Sequence, residues 1–442
     1  MNQFALLTSN RFLPLFAAQF LGALNDNIFR FALVIFITFT LAERSAIPAS
    51  QLVVLSGGVF ILPFFLFSAF AGQLADKFEK ARLIRTIKFA EILIMGLGAV
   101  GFWLQSATFL LAVLFLMGAQ SAFFGPLKYG ILPQHLQASE LTGGNALIQM
   151  ATYIAILLGA VIGGFIAGLH GEGAWPIVLS VMAVALLGWL AARHVPIAAP
   201  SAAELRIDWR ITHSTWQLMR VAARDRTTLV LTLLISWFWF EGATFLSMVP
   251  TLGKDMLGAD EHAVTLLNAA FTVGIGLGSL LCETLSRRRV EIGLSPYAAL
   301  GLCAFALDLW WQGAPAAAPG GLTLANFFDN PVATRVFVDL AGIGACGALY
   351  IVPLNAALQA AASSDHRSRV IAALNVVNAL FMVASAMFTM ACFALGASIG
   401  QIFALVAALN VVVLLAALGT LPALRTRALA VWRAPPAGET AP

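Results

Sequence analysis

A chain of 442 residues that is 60% hydrophobic and 10% charged, with mean hydropathy +0.89, cannot hide its apolar surface in water. Soluble domains carry about 25% charged residues, so the composition excludes a water-soluble protein. The formal net charge of +4 is then a matter of membrane topology and attraction to anionic lipid, not a nucleic-acid surface.

Apolar segments of helical length follow one another along the chain, at 11–41, 51–75, 83–104, 108–132, 142–169, 175–193, 227–250, 263–285, 294–312, 333–360, 370–395 and 401–424. Each is near the ~20 residues that cross ~30 Å of hydrocarbon, and helices satisfy their own backbone in lipid. The first segment runs past signal-peptide length and shows no small-residue cleavage pattern before polar sequence, so a retained helix is expected. It is interrupted by Asn25-Asp26-Asn27, with Gln19 and Arg30 nearby. A carboxylate at membrane depth costs at least roughly 2.5 kcal/mol and marks a functional position by default. Neutralisation of Asp26 by Arg30, one turn on, is the packing alternative.

Placing the N-terminus in the cytoplasm puts 21 of the 25 Lys and Arg residues on the inner side. These include Arg11, Lys77, Lys80, Arg82, Arg85, Lys88, Lys128, Arg287 to Arg289, Arg367, Arg369 and Arg433. Arg44, Lys254 and Arg335 fall outside. That asymmetry predicts both termini inside. The longest polar connection, 194–226, mixes Trp209, Trp216, Leu218 and Met219 with arginines and reads as an interfacial helix. The expected division is an N-terminal bundle over 1–193, a linker over 194–226, a C-terminal bundle over 227–424 and a cytoplasmic tail over 425–442, its Pro/Ala-rich end 434–442 unfolded. Cys282, Cys303, Cys346 and Cys392 all lie in apolar segments without a CxxC pair and read as packed thiols. The six histidines, His170 among them, fall in or beside connections, so neither a metal site nor an intramembrane histidine relay is indicated.

Short matches recur between the halves. Pro126-Leu127-Lys128 is echoed by Pro353-Leu354-Asn355, and Asn145-Ala146-Leu147 by Asn378-Ala379-Leu380. Asp26 and Glu241 fall at similar depths in the first and seventh segments. Two parallel repeats are expected, with a substrate site between them near midplane.

The loop after the second segment, Gly72-Gln73-Leu74-Ala75-Asp76-Lys77-Phe78-Glu79-Lys80-Ala81-Arg82, resembles the signature loop of the major facilitator superfamily. Glu79 stands where that pattern has its second glycine. Gly278-Ser279-Leu280 through Arg287-Arg288-Arg289 is a degenerate second copy. Gly125-Pro126-Leu127-Lys128-Tyr129-Gly130, Trp239-Phe240-Glu241-Gly242 and Ser368-Arg369-Val370-Ile371 with Asn375 further resemble the bacterial lysophospholipid transporters, including members fused to an acyltransferase. The resemblance implies an all-α membrane protein with twelve transmembrane helices in two pseudo-symmetric six-helix bundles. It implies alternating access that moves lysophospholipids, such as lysophosphatidylethanolamine, from the outer to the inner leaflet of the bacterial inner membrane. A separate cytoplasmic-side acyltransferase would reacylate them. No cofactor is implied. A fused acyltransferase is not legible here: the nearest His-x4-acid pair is His135 with Glu140, and a Ser nucleophile elbow is missing. A proton-coupled exporter of amphipathic drugs and a non-transporting scaffold that presents lipid to an acyltransferase stay open beside this reading.

A zwitterionic lysolipid calls for a cation, an anion and amides along an apolar groove. Lys128 beside Tyr129 offers a point charge to phosphate, with snorkelling to the interface as its alternative. Asp26 and Glu241 are candidates for an ammonium or a proton, and Glu241 is also a candidate partner for Arg30 or Lys128. Asn25, Asn27, Asn145 and Asn378 are candidate donors and acceptors, or interhelical contacts. Asp76 is expected to hold a neighbouring helix end and Arg82 while the inner gate is closed, with Gly72 among the gate residues. Arg335 and Asp339 form a candidate i,i+4 pair at the outer end of the tenth segment. The runs Gly159-Gly163-Gly164-Gly168 and Gly274-Gly276-Gly278 allow close helix approach.

Overall fold

The computed structural model describes residues 3–36, 49–167, 174–287, 289–312 and 321–431. Arg44, Gly168, His170, Arg288, Arg433 and the tail 434–442 lie outside the described residues. After a 3-10 turn at Gln3–Thr8, the first group of helices is α1 (Leu13–Phe36), α2 (Ala49–Lys77), α3 (Lys80–Leu104), α4 (Ala107–Gly130), the short α5 (Leu132–His135), α6 (Leu141–Ala167) and α7 (Trp175–Ala192). A connection then leads to α8 (Ile211–Ala223). The second group is α9 (Arg226–Thr251), α10 (Glu261–Leu285), α11 (Leu294–Trp311), α12 (Pro331–Ala361), α13 (Arg367–Ala394) and α14 (Ile399–Thr420), followed by α15 (Pro422–Ala430).

Among the described residues, 11 helices are long and apolar enough to cross a membrane. α1, whose described residues end at Phe36 and include Gln19, Asn25, Asp26, Asn27 and Arg30, is not among these 11. It packs among them all the same, against α6 and α7. Glycine sets that packing: a Cβ on Gly159 would sit 2.4 Å from Asn27 Cβ, and one on Gly163 2.7 Å from the Ile28 carbonyl. In the second group, Gly274 and Gly278 of α10 abut the Ala341 and Ala345 carbonyls of α12 at 2.0 and 2.2 Å from their would-be Cβ atoms. These glycines are therefore close-packing positions.

The two groups meet on the face that carries the 77–80 loop, the basic face. α2 packs on α13, and α6 on α10 and α12. Polar bonds stitch this contact. Gln3 N donates to Glu283 Oε2 at 3.0 Å, and Thr142 Oγ1 to the Arg289 carbonyl at 3.0 Å. Asn145 and Gln359 exchange two amide bonds at 3.1 and 2.7 Å. Further along, Tyr153 of α6 meets Phe271 of α10 edge-on at 6.3 Å. Toward the opposite face, α13 exposes Leu380, Val383, Met387 and Met390.

The connection between the groups is a strap before it is a helix. The Ala198 carbonyl accepts Lys80 N, and the Asp76 carbonyl accepts Ser201 N and Ala202 N. Asp208 N donates to Gln73 Oε1 at 2.8 Å. α8 then buries Leu218 and Ala222 against Ala69 of α2 and Ala372, Ala373 and Val376 of α13, leaving Trp209 and Trp216 exposed. The linker thus rests on both helices that close the basic face.

Candidate functional site

Three consecutive residues of α1 face three different neighbours, because successive side chains diverge by about 100° around a helix. Asn25 is fully buried and its Nδ2 donates to Glu91 Oε1 of α3 at 2.9 Å. Asp26 is half-buried and accepts Ser121 Oγ of α4 at 2.5 Å. Asn27 packs on Gly159 of α6 and donates back to the Ala23 carbonyl at 2.7 Å. The expected cluster of three at one site is therefore corrected: only Asp26 keeps an accessible face. Arg30 does not neutralise it; its guanidinium lies over the Phe60 ring at 4.7 Å, and among the described residues Asp26 has no ion-pair partner.

On α4, Lys128 lies two turns beyond Ser121 on the same stripe, about 10 Å along the axis. It is half-buried, its Nζ is 4.9 Å from the Tyr129 ring centre, and among the described residues it has no carboxylate partner. The helix continues through Pro126 to Gly130. Its glycines instead admit α13, since a Cβ on Gly125 would meet Asn375 Nδ2 at 2.5 Å and one on Gly130 Ser368 Oγ at 2.9 Å. One anion on α1 and one cation on α4 thus stand half-buried, neither of them in an ion pair among the described residues.

Behind Asp26 lies a sealed polar cluster in which Glu91, a charge near a segment end, is paired rather than snorkelling. Lys88 Nζ and Glu91 Oε2 are 2.6 Å apart, with side chains 1% and 3% exposed. Gln120 Nε2 also donates to Glu91 Oε2 at 3.1 Å. Lys88 is therefore not one of the interfacial cations counted for topology; it is a buried ion-pair partner within α3. The sequence signal was its i,i+3 spacing to Glu91 inside an apolar segment.

The remaining expected residues stand elsewhere. Glu241 is 2% exposed within the second group, its Oε2 unpartnered, and it reaches neither Arg30 nor Lys128. Beside it, Trp237 Nε1 donates to Asn410 Oδ1 at 3.0 Å and its ring stacks on Phe240 at 4.9 Å, so these aromatics are packing. Asn378 bridges α9 and α13: with its Nδ2 toward Ser236 Oγ at 2.7 Å, its oxygen accepts Trp239 Nε1 at 3.2 Å. Asn145 belongs to the cross-group amide pair with Gln359.

Of the gate residues, Asp76 holds the end of a neighbouring helix but not Arg82. Asp76, fully buried, accepts Ser368 N at 3.1 Å and Arg369 Nε at 3.0 Å, both from α13. Arg82 is exposed on α3 and does not reach Asp76. Glu79, in place of the pattern's second glycine, caps α3 instead: its carboxylate accepts Ala81 N and Arg82 N at 2.7 Å each and Ala198 N at 2.9 Å. Gly72 lies where a Cβ would be 2.7 Å from Ala372 Cβ. At the opposite face Arg335 pairs with Asp308 of α11, its Nε at 2.8 Å, while Asp339 accepts Gln312 Nε2 at 2.6 Å. The i,i+4 pair Arg335–Asp339 is thereby replaced by an interhelical one.

The sequence profile of the Major Facilitator Superfamily matches residues 15–386. The chain belongs to that superfamily. Lysophospholipid transporter LplT of Enterobacter sp. (strain 638) is 31% identical over 363 residues, covering 80% of this chain and 81% of its own. LplT of Klebsiella pneumoniae subsp. pneumoniae is 30% identical with the same coverage, and LplT of Serratia proteamaculans is 28% identical over 366 residues. This places the chain in the bacterial lysophospholipid transporter family. Among solved structures, the Escherichia coli fucose:proton symporter FucP has a TM-score of 0.69 at 15% identity, covering 92% of this chain and 98% of that one. A bacterial homologue of the iron transporter ferroportin in an outward-facing state has a TM-score of 0.63 at 14% identity, covering 93% of this chain and 99% of that one. These likenesses give the fold. The chain is a multi-pass membrane transporter of the major facilitator type.

Proposed function

We propose that this transporter moves lysophospholipids, lysophosphatidylethanolamine among them, from the outer to the inner leaflet of the bacterial inner membrane. The observation that carries the reading is the un-neutralised pair on α1 and α4. Asp26 suits the ammonium of the headgroup and Lys128 its phosphate, and the apolar flanks suit a single acyl chain. The relatives named lysophospholipid transporters, aligned over four-fifths of both chains, support the substrate class. The basic face is read as cytoplasmic because it gathers the Lys and Arg residues. The polar bonds between the groups that gather on that face among the described residues support a state open toward the outer leaflet, from which a lipid enters laterally. Delivery to a separate cytoplasmic-side acyltransferase completes the reading.

The test is reconstitution of the purified protein alone in liposomes with labelled lysophosphatidylethanolamine in one leaflet. Protein-dependent transfer to the other leaflet is expected. A protein that binds the lipid without transferring it would be a presenting scaffold, and transfer of cationic drugs but not lysolipid would make it an exporter.

A further inference from the structure

Two carboxylates lie close together in the first helix group, with opposite surroundings. Glu91 takes three donors, Asn25 Nδ2, Gln120 Nε2 and the ammonium of Lys88, and is sealed. Asp26 takes one, the Ser121 hydroxyl, and has no ion-pair partner among the described residues. The adjacent pair Gln120-Ser121 links the two, since Ser121 Oγ lies 3.2 Å from Gln120 Oε1. The Lys88 ammonium is seated in a notch. A Cβ on Gly22, one turn before Asp26 on the same face of α1, would stand 2.2 Å from Lys88 Nζ. Gly188 of α7 closes the far side at 3.7 Å, and the Phe124 ring lies 5.2 Å away.

A lysine carries its charge on a flexible four-carbon stem. Without an anion in the notch, that charge has one uncompensated carboxylate within a helical turn of its seat, Asp26. We infer that Lys88 and Glu91 are positioning residues for headgroup selection: Glu91 and the Gly22 notch hold the lysine charge away from Asp26, which leaves that carboxylate free for the ammonium of the substrate. The inference rests on the transport reading above. Neither residue touches the lipid. Their effect is selective, because only a headgroup bearing an ammonium competes with Lys88 for Asp26.

The experiment compares transfer of labelled lysophosphatidylethanolamine and labelled lysophosphatidylglycerol in proteoliposomes. Glu91→Gln keeps the shape and, with one amide oxygen in place of two carboxylate oxygens, one of the two amide contacts, but releases Lys88. It is expected to raise KM for the ethanolamine lipid by about tenfold, within the range of ordinary couplings between sites, and to leave the glycerol lipid within about twofold of wild type. The double variant Lys88→Met/Glu91→Gln removes the competing charge and is expected to restore the wild-type ratio. Gly22→Ala keeps both charges and fills the notch; the lysine tip must move, and the same selective loss is expected without a burial defect. Equal losses for the two lipids in Glu91→Gln and Gly22→Ala, or a double variant as unselective as Glu91→Gln, would overturn the inference. No transfer of either lipid by the wild-type protein would overturn the transport reading, and this inference with it.

Discussion

Arg369 Nε stands 3.0 Å from Asp76 Oδ2 across 293 positions of sequence, and the same carboxylate accepts the neighbouring Ser368 N–H. The pair joins α2 to α13 and closes the basic face. Arg369 is itself held by the Asp365 carbonyl at 2.8 Å, so its guanidinium arrives oriented. Removing one member strands a buried charge, at a cost of about 3–5 kcal/mol. That is enough to move a two-state equilibrium by orders of magnitude. Arg369→Ala is expected to open the basic face. A cysteine at Ala372, in a background without the four native thiols, should then react with a membrane-impermeant thiol reagent from that side. Asp76→Ala/Arg369→Ala should open it less than Arg369→Ala alone. Equal protection in wild type and Arg369→Ala would mean that the pair does not hold the face shut.

Gly72 tests the same contact sterically. A Cβ there would meet Ala372 Cβ at 2.7 Å and Arg369 Cα at 3.0 Å, and backbone cannot yield as a side-chain tip can. Overpacking of this kind costs about 1–3 kcal/mol, so Gly72→Ala should weaken the closed state and slow transport. Gly242, in the middle of α9, has nothing within 4 Å of its would-be Cβ. Gly242→Ala should raise the thermal midpoint, since alanine gains up to about 1 kcal/mol over glycine in a helix interior. Similar effects of the two substitutions in thermal unfolding and transport assays would contradict the close approach at Gly72.

What the sequence made legible was of two kinds: composition along the chain and local motif. The apolar segments, the gathering of basic residues and the Asp76 loop could all be read from neighbours in sequence. Side-chain partners across helices could not. Sequence proximity offers Asp76 the cation Arg82, six positions on, but does not say which helix end supplies the partner, Arg369 of α13. Helical spacing pairs Arg335 with Asp339, whereas the packing of α11 against α12 brings Asp308 to it. Lys88 falls among the inner-side charges by sequence, because periodicity places a residue on a helix but does not say what that helix packs against. The amides Asn145, Asn355 and Gln359 show the same limit. Only packing distinguishes the cross-group pair Asn145–Gln359 from Asn355, whose Nδ2 donates to its own helix at the Ile351 carbonyl.

Asp225 gives a pH-dependent prediction outside the membrane. It caps α9, accepting Thr228 N at 2.7 Å and Thr228 Oγ1 at 2.8 Å. The Thr228 N–H, with the smaller help of its hydroxyl, holds the carboxyl below the ordinary aspartate value of 3.8. A depressed folded-state pKa stabilises the fold above the unfolded value, and the stabilisation fades as pH falls through the lower folded one. Asp225→Ala should therefore cost about 1 kcal/mol at neutral pH. The difference from wild type should shrink below pH 3.8. Thermal unfolding in detergent across that interval is the measurement. A deficit that stays constant down to acid pH would remove the carboxylate from the cap.

Asp26 and Lys128 make the most direct test of the transport site. They sit on different helices, each half-buried and each without an ion-pair partner among the described residues, so neither is needed to neutralise a neighbour. Asp26→Ala frees the Ser121 hydroxyl, and Lys128→Ala removes a contact with the Tyr129 ring; each should cost folding no more than about 1–3 kcal/mol. Loss of the charge that a lysolipid headgroup meets should cost far more in transfer, at least a hundredfold where a desolvated charge pair is broken. The expected result is a folded, monodisperse protein in both variants with lysophosphatidylethanolamine transfer near the protein-free background. Asp26→Asn separates charge from hydrogen bonding, because the amide oxygen still accepts from Ser121. It should fail on the ethanolamine lipid more severely than on a headgroup without an ammonium. Wild-type rates in Asp26→Ala and Lys128→Ala would place the substrate path elsewhere in the molecule.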